Sequence, residues 1–279
     1  MLTVRNTRQV VRAPDLLRMK RAGDRIAMLT AYDFTMARHL DRAGVDVLLV
    51  GDSLGMVVLG QSNTLSVTLD MIAHHTAAVS RAVSRALVVA DMPFLSCHVG
   101  VAEAVRGAGR LVSEAGAHAV KVEGGHQVLE VVQRLAEAGI PVMGHLGLTP
   151  QSIHQVGGFR KQARDADEAR KLLESAHALQ AAGAFALVLE MIPDKVAADV
   201  TQSLEIPTIG IGAGPYCDGQ VLVSHDAFGL YDEFTPRFVK RFAELGRQLE
   251  AAAEDYVREV RQAEFPVSKK SVLSGHYSD

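Results

Sequence analysis

The chain has no tryptophan, and aromatic residues make up only 5% of its 279 positions. Nucleic-acid surfaces combine stacking rings with a basic stripe. Here 29 Lys and Arg face 32 Asp and Glu, for a net charge of −3, so no such surface is expected. Cysteine is scarce too. Cys97 and Cys217 lie far apart with no CxxC pair, which removes both a disulfide framework and a thiolate zinc site. No stretch approaches the ~20 apolar residues that a membrane-spanning helix needs. The opening segment, MLTVRNTRQVVRAPDLLRMKR, lacks the apolar centre of a signal peptide. The expectation is a soluble cytoplasmic protein that works neither on nucleic acid nor in a membrane.

What is present is apolar: 48% of the residues are hydrophobic, ample for one large core. Eight short runs rich in Val, Leu and Ile recur along the chain: RIAMLTAYD (25–33), VDVLLVGD (45–52), RALVVAD (85–91), HAVKVEG (118–124), IPVMGH (140–145), FALVLE (185–190), IPTIGIG (206–212) and GQVLVSHD (219–226). Continuous apolar runs mark strands buried on both faces, as in a parallel sheet. Several are preceded by an amphipathic stretch that ends in a glycine turn: RAGVD, EAGAH, EAGIP and AAGAF. Eight strand–helix units predict an α/β fold, a (β/α)8 TIM barrel, with a doubly wound sheet as the alternative. A barrel of this kind fills roughly 250 residues, so residues 1–279 are expected to form a single domain with a loosely held polar tail from about 265. Two connections break the rhythm, 53–68 and 146–166. Connections of such length are usually functional.

Barrel active sites lie at the C-terminal ends of the strands. There the runs deliver Asp33, Asp52 followed by Ser53, Asp91, Lys121 with Glu123, His145, Glu190 and Asp226. A single acid at a strand end is often the cap of the next helix. Several converging without counter-charge would repel one another and lose hydration, which a divalent cation relieves. Asp52, Asp91 and Glu123 offer oxygen ligands only, a set that suits Mg²⁺ rather than Zn²⁺. Lys121 and Glu123 are two apart and share a face of their strand. The lysine can hold a substrate carboxylate, pair with Glu123 or form a Schiff base. Glu190, ending LVLE, is placed to act as a proton acceptor or to form a structural salt bridge. His74 and His75 are expected on a helix surface. The glycines of IGIGAG (209–214) offer amides to an anion but do not match GxGxxG.

Together MLTAYD, VGDSLGMVVLG, TLSVTLDMIAHHTAAV, ADMPF, VKVEGG, GHLGLTPQS, IGIGAG and DGQVLVSHDAFGL resemble the ketopantoate hydroxymethyltransferase family, in order, from about residue 25 to 265. The resemblance implies a barrel of the phosphoenolpyruvate/pyruvate type. It implies an enzyme that makes ketopantoate from 3-methyl-2-oxobutanoate and 5,10-methylenetetrahydrofolate, towards pantothenate and coenzyme A. It also implies Mg²⁺ on Asp52, Asp91 and Glu123, oxo-acid contacts from Asp52, Ser53, Asp91, Lys121 and His145, Glu190 as catalytic base, and a homodecamer. Two segments depart from the family pattern: Gly157-Gly158-Phe159-Arg160 where Gly-Gly-Tyr-Lys is usual, and a basic tail, VSKKSVLSGHYSD, where an acidic one is usual. Related Mg²⁺-dependent lyases and mutases carry a Lys-Lys-Cys-Gly-His loop, which this chain lacks. A non-catalytic oxo-acid binder would have no use for a base beside a metal.

Overall fold

Each of the eight apolar runs forms a strand, because residues buried on both faces gain most from a sheet flanked by helices. The strands of the computed structural model are β1 Ile26–Thr30, β2 Val47–Val50, β3 Leu87–Asp91, β4 Ala119–Glu123, β5 Val142–Gly147, β6 Ala186–Glu190, β7 Thr208–Ile211 and β8 Gly219–Leu222. All neighbours pair in parallel and in chain order, and β8 closes on β1. The expected barrel is thus the observed one, and the doubly wound alternative falls. The structure describes residues 9–158, 160–233 and 236–267. Phe159 and residues 268–279, which include most of the expected loose tail, lie outside the described residues.

The helices are α1 Ala13–Ala22, α2 Phe34–Arg42, α3 Leu54–Val57, α4 Leu69–Ala82, α5 Val101–Ser113, α6 Leu129–Glu137, α7 Ile153–Val156, α8 Ala166–Ala181, α9 Asp194–Ser203, α10 Ser224–Ala227 and α11 Leu245–Arg261. Their starts follow capping chemistry. Asp33, Thr68 and Asp165 each accept a backbone N–H three residues on, opening α2, α4 and α8. Asp33 is therefore a helix cap. The four glycines of the recurring turns, Gly44, Gly116, Gly139 and Gly183, all have positive φ, as the ends of helices require.

Strand parity sorts the core into two layers. Val47, Leu49, Leu87, Val89, Ala119, Met143, Ala186 and Val188 fill the barrel interior. Ala90, Val120, Val122, Leu187 and Leu189 pack outward with residues of the surrounding helices, such as Leu111, Leu135 and Leu179. The inward column of β3 runs Leu87, Val89, Asp91. The columns of β4, β5 and β6 likewise end in Lys121 and Glu123, in His145 and in Glu190. An apolar plug fills the barrel below, and polar groups stand on top of it.

The ends of β5 and β6 are held unusually close. Gly147 has φ +95°, and a Cβ there would lie 2.1 Å from the Glu190 carbonyl oxygen, so only glycine fits. Leu148 N–H then donates to that carbonyl at 2.9 Å. Met191, directly after Glu190, has φ +49°, a left-handed turn that a non-glycine residue adopts at some cost.

The chain divides into two compact units, residues 1–224 with all eight strands and residues 225–279. In the second, α11 buries none of its side chains. Leu249, Tyr256, Val257 and Val260 are all exposed on it, and the Tyr256 ring meets Phe265 edge-on at 5.8 Å. No helix among the described residues is long and apolar enough to cross a membrane.

Candidate active site

Register brings the polar strand ends together before any side chain turns. Asp91 is paired with Lys121, Glu123 with His145 and Gly147 with Glu190 across adjacent strands. Lys121 sits at the centre. Its Nζ lies 2.8 Å from Asp91 Oδ1 and 3.2 Å from Glu123 Oε1, and 3.3 Å from His145 Nδ1. That same His145 nitrogen lies 3.1 Å from Glu123 Oε1. The other, Nε2, lies 3.1 Å from Glu190 Oε2, a charge contact set at an angle too poor for a hydrogen bond. The imidazole thus stands between two carboxylates. Asp52 joins from the end of β2, its backbone N–H donating to Asp91 Oδ2 at 3.1 Å. Ser53 follows it, and its Oγ shares a 2.8 Å hydrogen bond with the Tyr32 hydroxyl at the end of β1.

All of these groups except Ser53 and Glu190 are buried. The side chains of Asp91, Lys121, Glu123 and His145 are at most 5% exposed, whereas Glu190 is 15% exposed. Burial alone would neutralise the carboxylates, and neighbouring charge decides which of them escapes. Glu123 does. Burial pushes its carboxyl up, but Lys121 and then His145 outweigh that and hold it at about 2. Lys121 stays protonated, because Asp91, Glu123 and Asp52 outweigh the burial that pushes it the other way. Asp91 is raised by burial, with Lys121 opposing. Asp52 is raised well above the carboxylate range by burial, and the charges of Asp91 and Glu123 add to the effect. Crowding of the three acids thus disfavours a full set of charges, and Asp52 feels it through both Asp91 and Glu123.

His145 is raised to about 9: burial and Lys121 push it down, but Glu123 and the contact with Glu190 outweigh them. A folded-state value above the ordinary 6.5 adds stability that is complete below 6.5 and lost as pH rises through about 9. The melting temperature of the metal-free protein, followed in EDTA, is expected to fall across that window. His145→Gln should flatten the fall. A parental slope in the variant would contradict the assignment.

One oxygen each from Asp52, Asp91 and Glu123 lies within 4.8 Å of the others. Ligands about 2.1 Å from one Mg²⁺ span about 4.2 Å across the ion, so a small contraction or one bridging water brings the three onto a single cation. The crowded carboxylates and the oxygen-only donor set fit a hard divalent ion, whose binding would favour their charged forms.

Every expected site residue therefore lies in one cluster at the C-terminal end of the barrel. Two residues were not foreseen. Gln151, in the connection after β5, donates its amide to Asp52 Oδ2 and to the Met92 carbonyl, both at 3.0 Å. Its own N–H donates to Glu123 Oε2 at 3.2 Å. Its place in the GHLGLTPQS motif and the length of that connection were the only signals for it. His75 is half-buried rather than on the helix surface, with Nδ1 2.6 Å from the Tyr32 carbonyl oxygen. Cys97 and Cys217 are buried free thiols.

Comparison with known proteins gives the same family that the motifs resemble. The sequence profile of ketopantoate hydroxymethyltransferase matches residues 10–268. A Moorella thermoacetica protein named 3-methyl-2-oxobutanoate hydroxymethyltransferase is 56% identical over 264 residues, 95% of this chain and 98% of its own length. A Trichlorobacter lovleyi protein of the same name is 53% identical over 264 residues, 95% and 99% of the two chains. Among solved structures, phosphoenolpyruvate phosphomutase from Streptomyces platensis subsp. rosaceus superposes with a TM-score of 0.60 at 15% identity, covering 96% of this chain and 92% of its own. Phosphonopyruvate hydrolase, solved with oxalate and Mg²⁺, superposes with a TM-score of 0.60 at 12% identity, covering 94% of each chain. At such identities the likeness shows the fold alone, a (β/α)8 barrel.

Proposed function

The chain belongs to the ketopantoate hydroxymethyltransferase family of enzymes, and we propose that it transfers the one-carbon unit of 5,10-methylenetetrahydrofolate to 3-methyl-2-oxobutanoate. The product is ketopantoate, on the way to pantothenate and coenzyme A. The observation that carries this reading is the buried ring of Asp52, Asp91 and Glu123 around Lys121, with Glu190 reached through His145. A ring of acids needs a cation, a buried lysine suits an anionic substrate, and a carboxylate beyond them can accept a proton.

Asp52, Asp91 and Glu123 would hold Mg²⁺, which when bound supplies a Lewis acid for the keto and carboxylate oxygens of the oxo acid. Lys121 orients the substrate carboxylate, with the Ser53 hydroxyl beside it, itself fixed by Tyr32. Glu190 takes the C3 proton on Oε1, the oxygen other than the one facing His145. His145 keeps the Glu190 carboxylate in place and presents positive charge near the developing enolate. The enolate carbon then bonds to the folate methylene carbon as the bond from that carbon to one folate nitrogen breaks, and the proton held by Glu190 passes to that nitrogen. Water next displaces the second nitrogen, leaving its hydroxyl on the product and its other proton on the departing tetrahydrofolate. The connections after β2 and β5 carry Ser53 and Gln151 to the site, and their closure would exclude water.

The test is product formation. Ketopantoate, followed by mass spectrometry, is expected only when oxo acid, methylenetetrahydrofolate and a hard divalent cation are all present. Asp52→Asn and Asp91→Asn should weaken metal and oxo-acid binding together. Full turnover in excess EDTA, or turnover without folate, contradicts the reading. The latter outcome would favour a lyase or mutase of the same fold.

The enzyme is further proposed to be cytoplasmic and to assemble as a homodecamer. The uncovered apolar side chains of α11, Leu249, Tyr256, Val257 and Val260, support assembly, since patches of this kind are usually covered. Light scattering is expected to give about ten times the 29.9 kDa chain mass. A monomer at micromolar concentration rules this out.

A further inference from the structure

We propose that Gln151 is a positioning residue that sets the geometry of the metal carboxylates from the loop after β5. The inference rests on the metal reading of Asp52, Asp91 and Glu123.

The argument begins with hydrogen-bond demand. The Gln151 side chain faces two acceptors, Asp52 Oδ2 and the Met92 carbonyl oxygen, each at 3.0 Å. An uncharged group that donates to both must be a primary amide, with its nitrogen turned inward. Lysine or arginine would add a charge to a site that already holds Lys121. Glutamate would set a carboxylate against two acceptors. Because the amide occupies Oδ2, the other oxygen of Asp52 is the one left to meet a cation. The Gln151 backbone N–H fixes Glu123 Oε2 at 3.2 Å, while Glu123 Oε1 is held by Lys121 and His145.

A single buried residue, 8% exposed, therefore bridges carboxylates from β2 and β4 and the chain just after β3. Its loop also touches β6, through the Leu148 N–H on the Glu190 carbonyl oxygen. The loop that carries Gln151 thus couples the metal end of the site to the proposed base. Partners of this kind, hydrogen-bonded to ligating carboxylates, typically contribute a factor of 10–100 in metal affinity.

The probe is Mn²⁺ alone, titrated into the full-length protein by calorimetry, with its paramagnetic resonance spectrum followed in parallel. Gln151→Met keeps the length and removes both donors. It is expected to raise the Mn²⁺ dissociation constant by roughly 10–100-fold and to alter the spectrum of the bound ion. The metal concentration needed for half-maximal turnover should rise in step, with kcat returning close to parental at saturating Mn²⁺. Affinity and spectrum equal to the parent overturn the proposal. So does a kcat that stays low at every metal concentration, because that marks general damage to the site. Should Gln151→Met fail to fold, the same titration on Gln151→Ala decides. Asp52→Asn is the control. If it binds Mn²⁺ like the parent, the metal reading itself fails. If it loses binding while Gln151→Met does not, only the role of Gln151 falls.

Discussion

Glu190→Gln is expected to slow exchange of the C3 hydrogen of 3-methyl-2-oxobutanoate with D2O by roughly 10²–10⁴-fold, the range general acid–base catalysis contributes. The amide has the size of the carboxylate but cannot accept the proton. The position should tolerate it structurally, because the Glu190 side chain is less buried than its neighbours and its charge contact is with His145 at 3.1 Å. Oxo-acid affinity, measured by calorimetry in Mg²⁺, should survive, because Lys121 and the metal carboxylates stand on other strands. Parental exchange in the variant would pass the role of base to His145 or to a hydroxide. Loss of substrate binding would make Glu190 a structural residue, the salt-bridge reading that its strand-end position also allowed.

Lys121→Met carries the second large effect. The lysine contacts Asp91 and Glu123 at 2.8 and 3.2 Å in a buried setting. Removing one partner of a buried ion pair typically costs about 3–5 kcal/mol, because the charge left behind has neither water nor a counter-ion. The carboxylates of the variant should answer by keeping protons, so their folded-state values rise above those of the unfolded chain. Stability then falls as pH rises through those raised values and recovers on acidification. Urea unfolding in EDTA is expected to show the loss near pH 8 and much of it regained near pH 5, with excess Mg²⁺ restoring part of it at the higher pH by binding the folded state. A variant as stable as the parent at pH 8 would mean that Lys121 is not the counter-charge of the ring.

Much of this was legible in the sequence, for identifiable reasons. Strands buried on both faces leave continuous apolar runs, so all eight were visible, and their number and order imply closure. The ends of those runs then name the residues at the rim. What a linear reading cannot give is which strand-end acid stays local. Asp33 and Asp52 look alike in sequence, yet the first caps α2 through the Met36 N–H while the second receives an amide from a residue 99 positions away. Gln151 was missed for the same reason. An uncharged amide, even inside a motif, shows no chemical role until its loop folds over the barrel and meets three acceptors. His75 looked like helix surface because its bond is to a backbone carbonyl, which no side-chain pattern announces. The close approach of Gly147 to the Glu190 carbonyl is likewise a matter of register between strands.

The account centres on one chemical event, loss of the C3 proton inside a cation-loaded ring of carboxylates, before the one-carbon donor takes part. Exchange of C3 hydrogen in D2O, followed by proton NMR with the parental enzyme and 3-methyl-2-oxobutanoate, tests it directly. With Mg²⁺ and no folate, deuterium should enter C3, and excess EDTA should stop it. Exchange that continues undiminished in EDTA, or that appears only once methylenetetrahydrofolate is added, would contradict the account.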